Sequence, residues 1–378
     1  MRQLFTFCFV LVFQMFVFAQ TETAAADKQL GFKEQMKKEI KGVIEHHLVD
    51  SHDFTFLSDK EGNAYGFPLP VILVDNGLKI FSSSNFEHGT KVHEVDGTFY
   101  KEYHGQIYKT DAAGTINYSL EDAKGSHEGE MKKGVPTNEK PFDLSITKNV
   151  MMMLFTSLLM FLIFTSLSRS YVKSGGVPKG VGRFFEPVVL YIKDEIAVPN
   201  IGEKHYKKYM PFLLTVFFFI LFLNFFGLTP LGVNVTGNIA VTTALAIITF
   251  LITNFTGKKT YWLHVFDPLG DSMPWIAKIP LYLILIPIEL LGLIIKPFSL
   301  LIRLYANMAA GHIVLMSLIG LIFVFQSWIG GSLSFALTFV IILIKVLVCV
   351  LQAYIFTMLS ALYFGFAAQE HEPEEAHS

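Results

Sequence analysis

The sequence is poor in cysteine and in charged residues, and both shortages exclude classes of protein. Only two of its 378 residues are cysteine, and both Cys8 and Cys349 lie in apolar segments. That excludes a disulfide framework and a cysteine-based zinc site. Charged residues make up 16% of the chain, and 30 Lys and Arg nearly balance 32 Asp and Glu, for a net charge of -2. Because no basic stripe is present, nothing indicates nucleic-acid binding.

Apolar residues are what the sequence has in abundance. They make up 52% of the chain, with 37 phenylalanines, and they are concentrated in long runs in its second half. Such runs are typical of an integral membrane protein. We therefore expect its partners to be lipid and other membrane proteins.

The amino terminus has the features of a secretory signal peptide over residues 1–19. Arg2 precedes an apolar stretch at residues 4–18, which is short for a membrane span of about 20 residues, and the small Ala19 suits cleavage. An uncleaved anchor helix is the alternative. Either of them would export the residues that follow.

Residues 20–147 are predicted to form a small α+β extracytoplasmic domain and a linker. Apolar residues recur every three or four positions between residues 32 and 48, which indicates a helix. Turn residues such as Asp96-Gly97 then separate strand-like runs at 71–74, 79–81, 98–109 and 115–120. Residues 125–140 are rich in Gly, Lys and Glu and are interpreted as the linker.

Histidines raise the question of a metal site in this region. Seven of the twelve lie here, at positions 46, 47, 52, 88, 93, 104 and 127. Helical His-x-x-x-His pairs and a recurring carboxylate pattern are missing, so solvated histidines are the favoured interpretation. We expect neither a metal nor a cofactor.

The second half is predicted to be an all-α helical bundle with about five membrane helices, over residues 148–371, before a tail at 372–378. Three spans, at 149–167, 210–227 and 239–255, fit a bilayer of about 30 Å. Two longer runs, at 279–325 and 333–366, would measure roughly 70 and 50 Å as helices. We expect them to be strongly tilted rather than broken at Pro297.

Charges in the loops orient these helices. The loop at 168–209 holds eight Lys and Arg, whereas residues 228–237 hold none, so the first loop is predicted to be cytoplasmic and the second external. This agrees with an exported amino terminus and places the carboxyl terminus in the cytoplasm. Within the first loop, the mixed stretch at 181–198 is typical of an interfacial amphipathic helix.

Isolated ionisable residues at bilayer depth are the candidate functional residues, because burying one there costs from about 2.5 to more than 10 kcal/mol. Glu289, Lys296 and Arg303 recur every seven residues, so they share one helix face, and Asn307 extends it by a turn. His312, nine residues past Arg303, points to the opposite face. One helix therefore presents two polar surfaces.

Arg303 is the strongest of these candidates. Its guanidinium stays protonated at physiological pH, so inside a membrane it attracts a carboxylate, which we expect from outside this chain. Snorkelling to the headgroups, or pairing with a carboxylate elsewhere in the chain, is the alternative. Lys296 is equally well explained by snorkelling. On the last helix Lys345 and Gln352 are seven apart and share a face, although Gln352 alone would suit an ordinary interhelical hydrogen bond.

Two segments carry a resemblance to a known family. LIRLYANMAAGH at residues 301–312, and LQAYIF at 351–356 followed by Leu362 and Tyr363, resemble the two signatures of ATP synthase subunit a. Glu289, Lys296 and Ser299 also fit, and the likeness covers about residues 149–371. It implies a membrane subunit of a bacterial F-type ATP synthase that is not catalytic by itself.

The resemblance also implies partners and roles. Arg303 would face a ring of c subunits and attract the carboxylate of each, while two aqueous half-channels deliver and remove protons on opposite sides. Asn307 and Gln352 would flank Arg303. The exterior half-channel would involve His312, with Lys345, Asn238 and Glu289 as weaker candidates. Subunit b of the peripheral stalk, and indirectly the F1 sector, would be further partners in the cell inner membrane.

Two features depart from the family pattern. Many relatives pair a carboxylate with a histidine where this sequence has His312 and Lys345, and two basic groups cannot form an ion pair. We expect at least one of them to be neutral, because burial disfavours charge. The exported domain is the second departure.

Two other classes of protein remain as alternatives. A secreted sensor anchored by helices would explain the exported domain, but it would not need charges inside the membrane. A secondary transporter would explain those charges, yet the two halves show no internal similarity. The choice between protons and sodium ions is left open, because the binding carboxylate would belong to the ring.

Overall fold

The computed structural model describes residues 50–58, 64–118, 136–173, 180–229, 233–267, 275–325 and 328–368. The predicted signal peptide, the helical pattern at 32–48, most of the predicted linker and the tail lie outside them. The chain divides into two compact units, Met1–Glu45 with Met316–Phe339 and His46–Leu315 with Val340–Ser378. The described part of the first comprises the end of one long helix and the start of the next. Apart from those helix ends, the described residues belong to the second unit.

The structure describes eight short strands in the domain that the sequence predicts to be exported, called the exported domain below. They form the antiparallel pair β1-β2 and two three-stranded sheets of order β4-β3-β8 and β5-β6-β7. Val71 and Leu73 pack against Phe86, Tyr100 and Ile107 to form its core. The strands are β1 (Asp53–Ser58), β2 (Ala64–Pro68), β3 (Pro70–Val74), β4 (Leu78–Ser82), β5 (His93–Val95), β6 (Thr98–Tyr103), β7 (Gln106–Thr110) and β8 (Phe142–Asp143).

The predicted strands are confirmed in part. β3 and β4 match the runs at 71–74 and 79–81, while the run at 98–109 is a hairpin of β6 and β7 rather than one strand. The turn residues His104 and Gly105 between them have positive φ values, as a two-residue hairpin loop requires. A strand at 115–120 is wrong for the described residues 115–118, where only Tyr118 forms a bridge, to Pro136.

The end of the predicted linker belongs to this domain. Lys109 N donates to Glu139 O at 2.9 Å, and Asn138 Nδ2 donates to the carbonyls of Lys109 and Thr115 at 2.9 and 3.1 Å. Residues 136–140 were assigned to the linker because they are polar. The Asn138 side chain and the Glu139 carbonyl instead satisfy backbone groups of Lys109 and Thr115, which fixes the segment in place.

His52 corrects the interpretation of the histidines as solvated. Its side chain is only 1% exposed and lies between two carboxylates, with Nδ1 3.2 Å from Glu102 and Nε2 3.0 Å from Asp143. Burial alone lowers the pKa of His52, but the hydrogen bonds and charges of Asp143 and Glu102 outweigh it and raise the pKa to about 9. A charged imidazole therefore joins β6 and β8 to the start of β1.

The stability of the exported domain is expected to fall as the pH rises from 6.5 to about 9. Because the pKa of His52 in the folded domain lies above its ordinary value of 6.5, its stabilising contribution is complete below pH 6.5 and is lost as the pH passes about 9. The loss should amount to about 3 kcal/mol, since one pKa unit corresponds to about 1.4 kcal/mol. Pulse proteolysis in increasing urea at pH 6.5 and pH 9.5 measures it.

Two variants make this test specific. His52→Gln should remove most of the pH dependence, whereas Lys91→Ala, which breaks an exposed ion pair with Glu87, should change stability by less than about 1 kcal/mol. Equal pH dependence in His52→Gln and the unmodified protein would assign the effect to another group.

The helical part of the chain begins at Lys148. Among the described residues, five helices are long and apolar enough to cross a membrane, in agreement with the predicted spans. The helices are α1 (Lys148–Lys173), α2 (Val181–Tyr191), α3 (Val198–Ile201), α4 (Tyr206–Leu228), α5 (Ile239–Thr256), α6 (Lys259–Phe266), α7 (Trp275–Phe325) and α8 (Trp328–Ala368). A π-helical segment, Ile192–Ala197, joins α2 to α3 where the amphipathic helix was predicted.

The last two helices are continuous. α7 has 51 residues and passes through Pro297, and α8 has 41, so at 1.5 Å per residue they measure about 76 and 62 Å. Both exceed a bilayer core of about 30 Å. Against them packs α4, whose buried Leu213, Val216 and Phe217 share a core with Leu300 of α7 and Phe356 of α8. This packing fixes the positions of the polar faces of α7 and α8 relative to each other.

Candidate functional site

A cavity of about 260 Å³ lies between α4, α7 and α8. Most of its lining is apolar, but four polar side chains reach it: Asn224 of α4, Asn307 of α7, and Lys345 and Gln352 of α8. Three of these four are candidates from the sequence. The structure therefore brings Asn307, Lys345 and Gln352 together, because α7 and α8 place their polar faces side by side.

Arg303 lies one turn before Asn307 on α7 and is half-buried. Its Nη2 is 3.5 Å from Ser299 Oγ on the preceding turn of the same helix. Among the described residues, no ion pair joins Arg303 to a carboxylate. A permanent cation on a membrane helix is thus left with one long hydrogen bond to a hydroxyl.

Lys345 is buried against Gly311. Its side chain is 8% exposed, and its Nζ has no hydrogen-bond partner among the described residues. A Cβ on Gly311 would lie 2.7 Å from Lys345 Cε and 3.2 Å from Nζ. The absence of a side chain at Gly311 therefore permits a close contact between α7 and the Lys345 side chain of α8.

His312 lies next to α4. It is 6% exposed, and its Nε2 is 3.4 Å from where a Cβ on Gly227 would be. Met308 Cε would be 2.7 Å and Val233 O 3.2 Å from the same Cβ, so a larger residue at position 227 would require Met308 to move. The imidazole is thereby held at the end of α4, beside the chain that leads to α5.

Three other polar residues lie outside the cavity. Asn238 caps α5, where its Oδ1 accepts from Ala240 N at 3.0 Å. Glu289 precedes Arg303 by two heptads, or about 21 Å along α7. Lys296 Nζ lies 5.9 Å from the ring centroids of both Tyr363 and Phe366, a cation-π arrangement that accounts for its position without a channel role.

The sequence analysis missed Asn224 and Thr236. Thr236 Oγ1 donates to Asn224 Oδ1 at 2.8 Å, and both residues are at most 1% exposed. Asn224 was detectable, because it is an isolated amide within the apolar run of α4. Thr236 was not, since a threonine in a connecting segment has no distinctive pattern.

Five membrane helices, a half-buried arginine without an acidic partner in the described chain, and a cavity lined by amides and a buried lysine define a multi-pass membrane protein of the ion-translocating class. Comparison with known proteins identifies the family. The sequence profile described as "ATP synthase A chain" matches residues 150–365. The chain belongs to the ATP synthase subunit a family.

Individual relatives agree with this assignment. ATP synthase subunit a of Anaeromyxobacter sp. (strain Fw109-5) is 42% identical over 274 residues, which are 71% of this chain and 65% of the relative. Subunit a of Chlorobium phaeobacteroides (strain BS1) is 38% identical over 326 residues, 81% and 94% of the two chains. A second profile, described as a domain of unknown function, matches residues 43–144.

Proposed function

We propose that the chain is the stator subunit a of a bacterial rotary F-type ATP synthase. It passes protons to and from the carboxylates of a c-subunit ring through two aqueous half-channels, and so couples proton flux to ring rotation and ATP synthesis. It is not catalytic by itself. The half-buried Arg303, which has no ion pair to a carboxylate among the described residues, is the observation that carries the proposal.

An exposed apolar face beside Arg303 supports a large partner. Ile288, Leu291, Ile295, Phe298 and Ile302 recur every three or four residues on α7 and are 43 to 57% exposed. Side chains so exposed on a membrane helix contact lipid or another subunit. A c ring on this face would bring its carboxylates within reach of Arg303, whose fixed charge attracts them and cannot itself relay a proton.

The cavity lies on the proposed exterior side of Arg303. Asn307 and Gln352 flank the arginine, and His312 and Lys345 lie beyond it towards the exported domain. Two neighbouring basic groups are compatible with a proton path if at least one is neutral and can accept a proton. Asn238 is a weaker member of this path, because its side chain caps α5. Glu289, the other weaker candidate, precedes Arg303 on α7 and so lies on the opposite side of the arginine from the cavity, which does not favour a place in the exterior path.

The assembly follows from the same proposal. The signal peptide and the domain at 20–147 are exported, the bundle at 148–371 lies in the cell inner membrane with α7 and α8 tilted, and the tail at 372–378 is cytoplasmic. Subunit b of the peripheral stalk holds the chain against the c ring, and the F1 sector is an indirect partner.

Substitution of the two basic cavity residues tests the path. Lys345→Gln and His312→Ala should each lower ATP-driven proton pumping in reconstituted vesicles by about 100-fold, the lower end of the range for loss of a proton-transfer group. Lys259→Gln, an exposed lysine on α6, is the matched control and should pump normally. Normal pumping by both cavity variants would remove these residues from the path.

A further inference from the structure

The exported domain is joined to the membrane helices by defined contacts at the start of α1. Asp50 accepts hydrogen bonds from Thr147 Oγ1 at 2.7 Å and from Asn149 N at 3.1 Å, and Lys148 N donates to Ser51 O at 2.8 Å. A carboxylate that binds the free N–H groups of a first helical turn is a helix cap. The segment before β1 is therefore fixed to α1.

An apolar cluster continues this attachment to the chain between α4 and α5. Phe54 of β1 and Leu69, which follows β2, pack with Met152 of α1 and Leu223 of α4. The same cluster contains Val233 and Val235, and all six residues are at most 4% exposed. The exported domain thus covers residues 233–238, the described part of what we call the α4–α5 connection.

Polar groups of the α4–α5 connection lie between this cluster and the cavity. Asn234 is 7% exposed, and neither its Oδ1 nor its Nδ2 has a hydrogen-bond partner among the described residues. Thr236 donates to Asn224, which lines the cavity beside Lys345. A Cβ on Gly227 would be 3.2 Å from Val233 O and 3.4 Å from His312 Nε2. The α4–α5 connection therefore lies next to Asn224 and next to His312.

The chemistry of Asn234 indicates what it binds. Leaving a buried amide unsatisfied costs about 1–3 kcal/mol, so such groups are normally hydrogen-bonded to protein or to ordered water. Asn234 stands where residues of the exported domain meet the chain that leads to Asn224 and His312. Water held there would connect the exterior to the cavity.

We propose that the exported domain positions the α4–α5 connection as the exterior inlet of the proton path, with Phe54 and Leu69 as positioning residues and the Asn234 amide as a water-binding group. This inference rests on the proposed function, because an inlet needs a proton path behind it. Titratable groups near this junction include Asp50, His52 and Asp53 of the exported domain, of which Asp53 pairs with His88, together with Lys148 of α1, His312 of α7 and Lys345 of α8.

The test is the proton concentration needed for half-maximal ATP synthesis. The whole ATP synthase is reconstituted in vesicles at a fixed membrane potential, and the pH is varied on the side of the exported domain. In the double variant Phe54→Ala and Leu69→Ala the midpoint should move at least about half a pH unit to the acid side, about threefold in proton concentration. The maximal rate should stay within about twofold, because the path beyond the inlet is intact.

Two further variants separate positioning from general damage. Leu78→Ala with Ile80→Ala removes two exposed apolar side chains from β4 of the same domain and should leave the midpoint unchanged. Gly237→Ala would place a Cβ 2.2 Å from both amide atoms of Asn234 and should shift the midpoint without altering the exported domain. If the double variant fails to assemble, the midpoint of Gly237→Ala still tests whether the α4–α5 connection forms the inlet.

Failure of the inlet proposal and failure of the proposed function give different results in these experiments. An unchanged midpoint in the inlet variants, an alkaline shift, or an equal fall in rate at every pH would overturn the inlet, provided that Arg303→Ala is inactive. Coupled pumping by Arg303→Ala would instead overturn the proton path itself.

Discussion

Replacing Arg303 with alanine is expected to abolish coupled proton pumping, with a loss of at least about 100-fold, the scale on which single preorganised electrostatic groups act. Arg303 is half-buried on α7, and among the described residues its guanidinium has a hydrogen bond to Ser299 alone, at 3.5 Å. Without it, nothing in the described part of α7 and α8 offers the ring carboxylates a fixed positive charge at this depth. Quenching of a pH-sensitive dye in vesicles during ATP hydrolysis measures the loss.

Two controls show whether the effect belongs to this charge. Arg183→Ala removes an exposed arginine from α2 and should pump normally. Arg303→Lys keeps a charge but loses the planar fork, so it should recover only a small part of the activity. If ATP hydrolysis in Arg303→Ala still acidified the vesicles at a normal rate, the role assigned to Arg303 would be refuted.

The largest effect on stability is expected from Gly365→Ala. A Cβ on Gly365 of α8 would lie 1.9 Å from the carbonyl oxygen of Asn200 and 3.0 Å from its carbon. Those are backbone atoms of α3 that no side-chain rotation can move, so the two helices must separate. Overpacking of this kind costs about 1–3 kcal/mol, and backbone displacement favours the upper end or more. Thermal unfolding of the detergent-solubilised protein should begin several degrees lower.

Gly292→Ala is the matched control for this effect. Gly292 lies within α7, and a Cβ there meets nothing within 4 Å. Alanine is the better helix former by about 1 kcal/mol, so this variant should be neutral or slightly stabilised. Equal destabilisation by both substitutions would mean that the contact between α8 and Asn200 does not limit stability.

The sequence predicted the membrane helices well because their signal is local. Five apolar runs are five helices, and α7 and α8 extend slightly beyond the predicted bounds. Pro297 does not break α7, in agreement with the expectation of continuous long helices. Seven-residue spacing also grouped Lys345 with Gln352 correctly, since residues seven apart lie on one helix face whatever the helix packs against.

Long-range contacts were beyond such reasoning. The carboxylates that pair with His52 are 50 and 91 residues away along the chain. The residues next to His52 in the sequence therefore do not distinguish it from a solvated histidine. Four short strands, β1, β2, β5 and β8, are stabilised by pairing with neighbouring strands. Their own sequences do not predict them, because that pairing depends on the folded structure. The fit of Lys345 against Gly311 depends on the register between two helices, which neither helix specifies alone.

The central claim is that the exposed apolar face of α7 beside Arg303 contacts a ring of c subunits, and cysteine cross-linking tests it most directly. Ile302→Cys in a background lacking Cys8 and Cys349, combined with a cysteine beside the carboxylate of the c subunit, should give a disulfide-linked product when the intact complex is oxidised. Ile248→Cys on α5, 45% exposed against 43% for Ile302, should give none. No product from position 302, or equal products from both positions, would contradict the account.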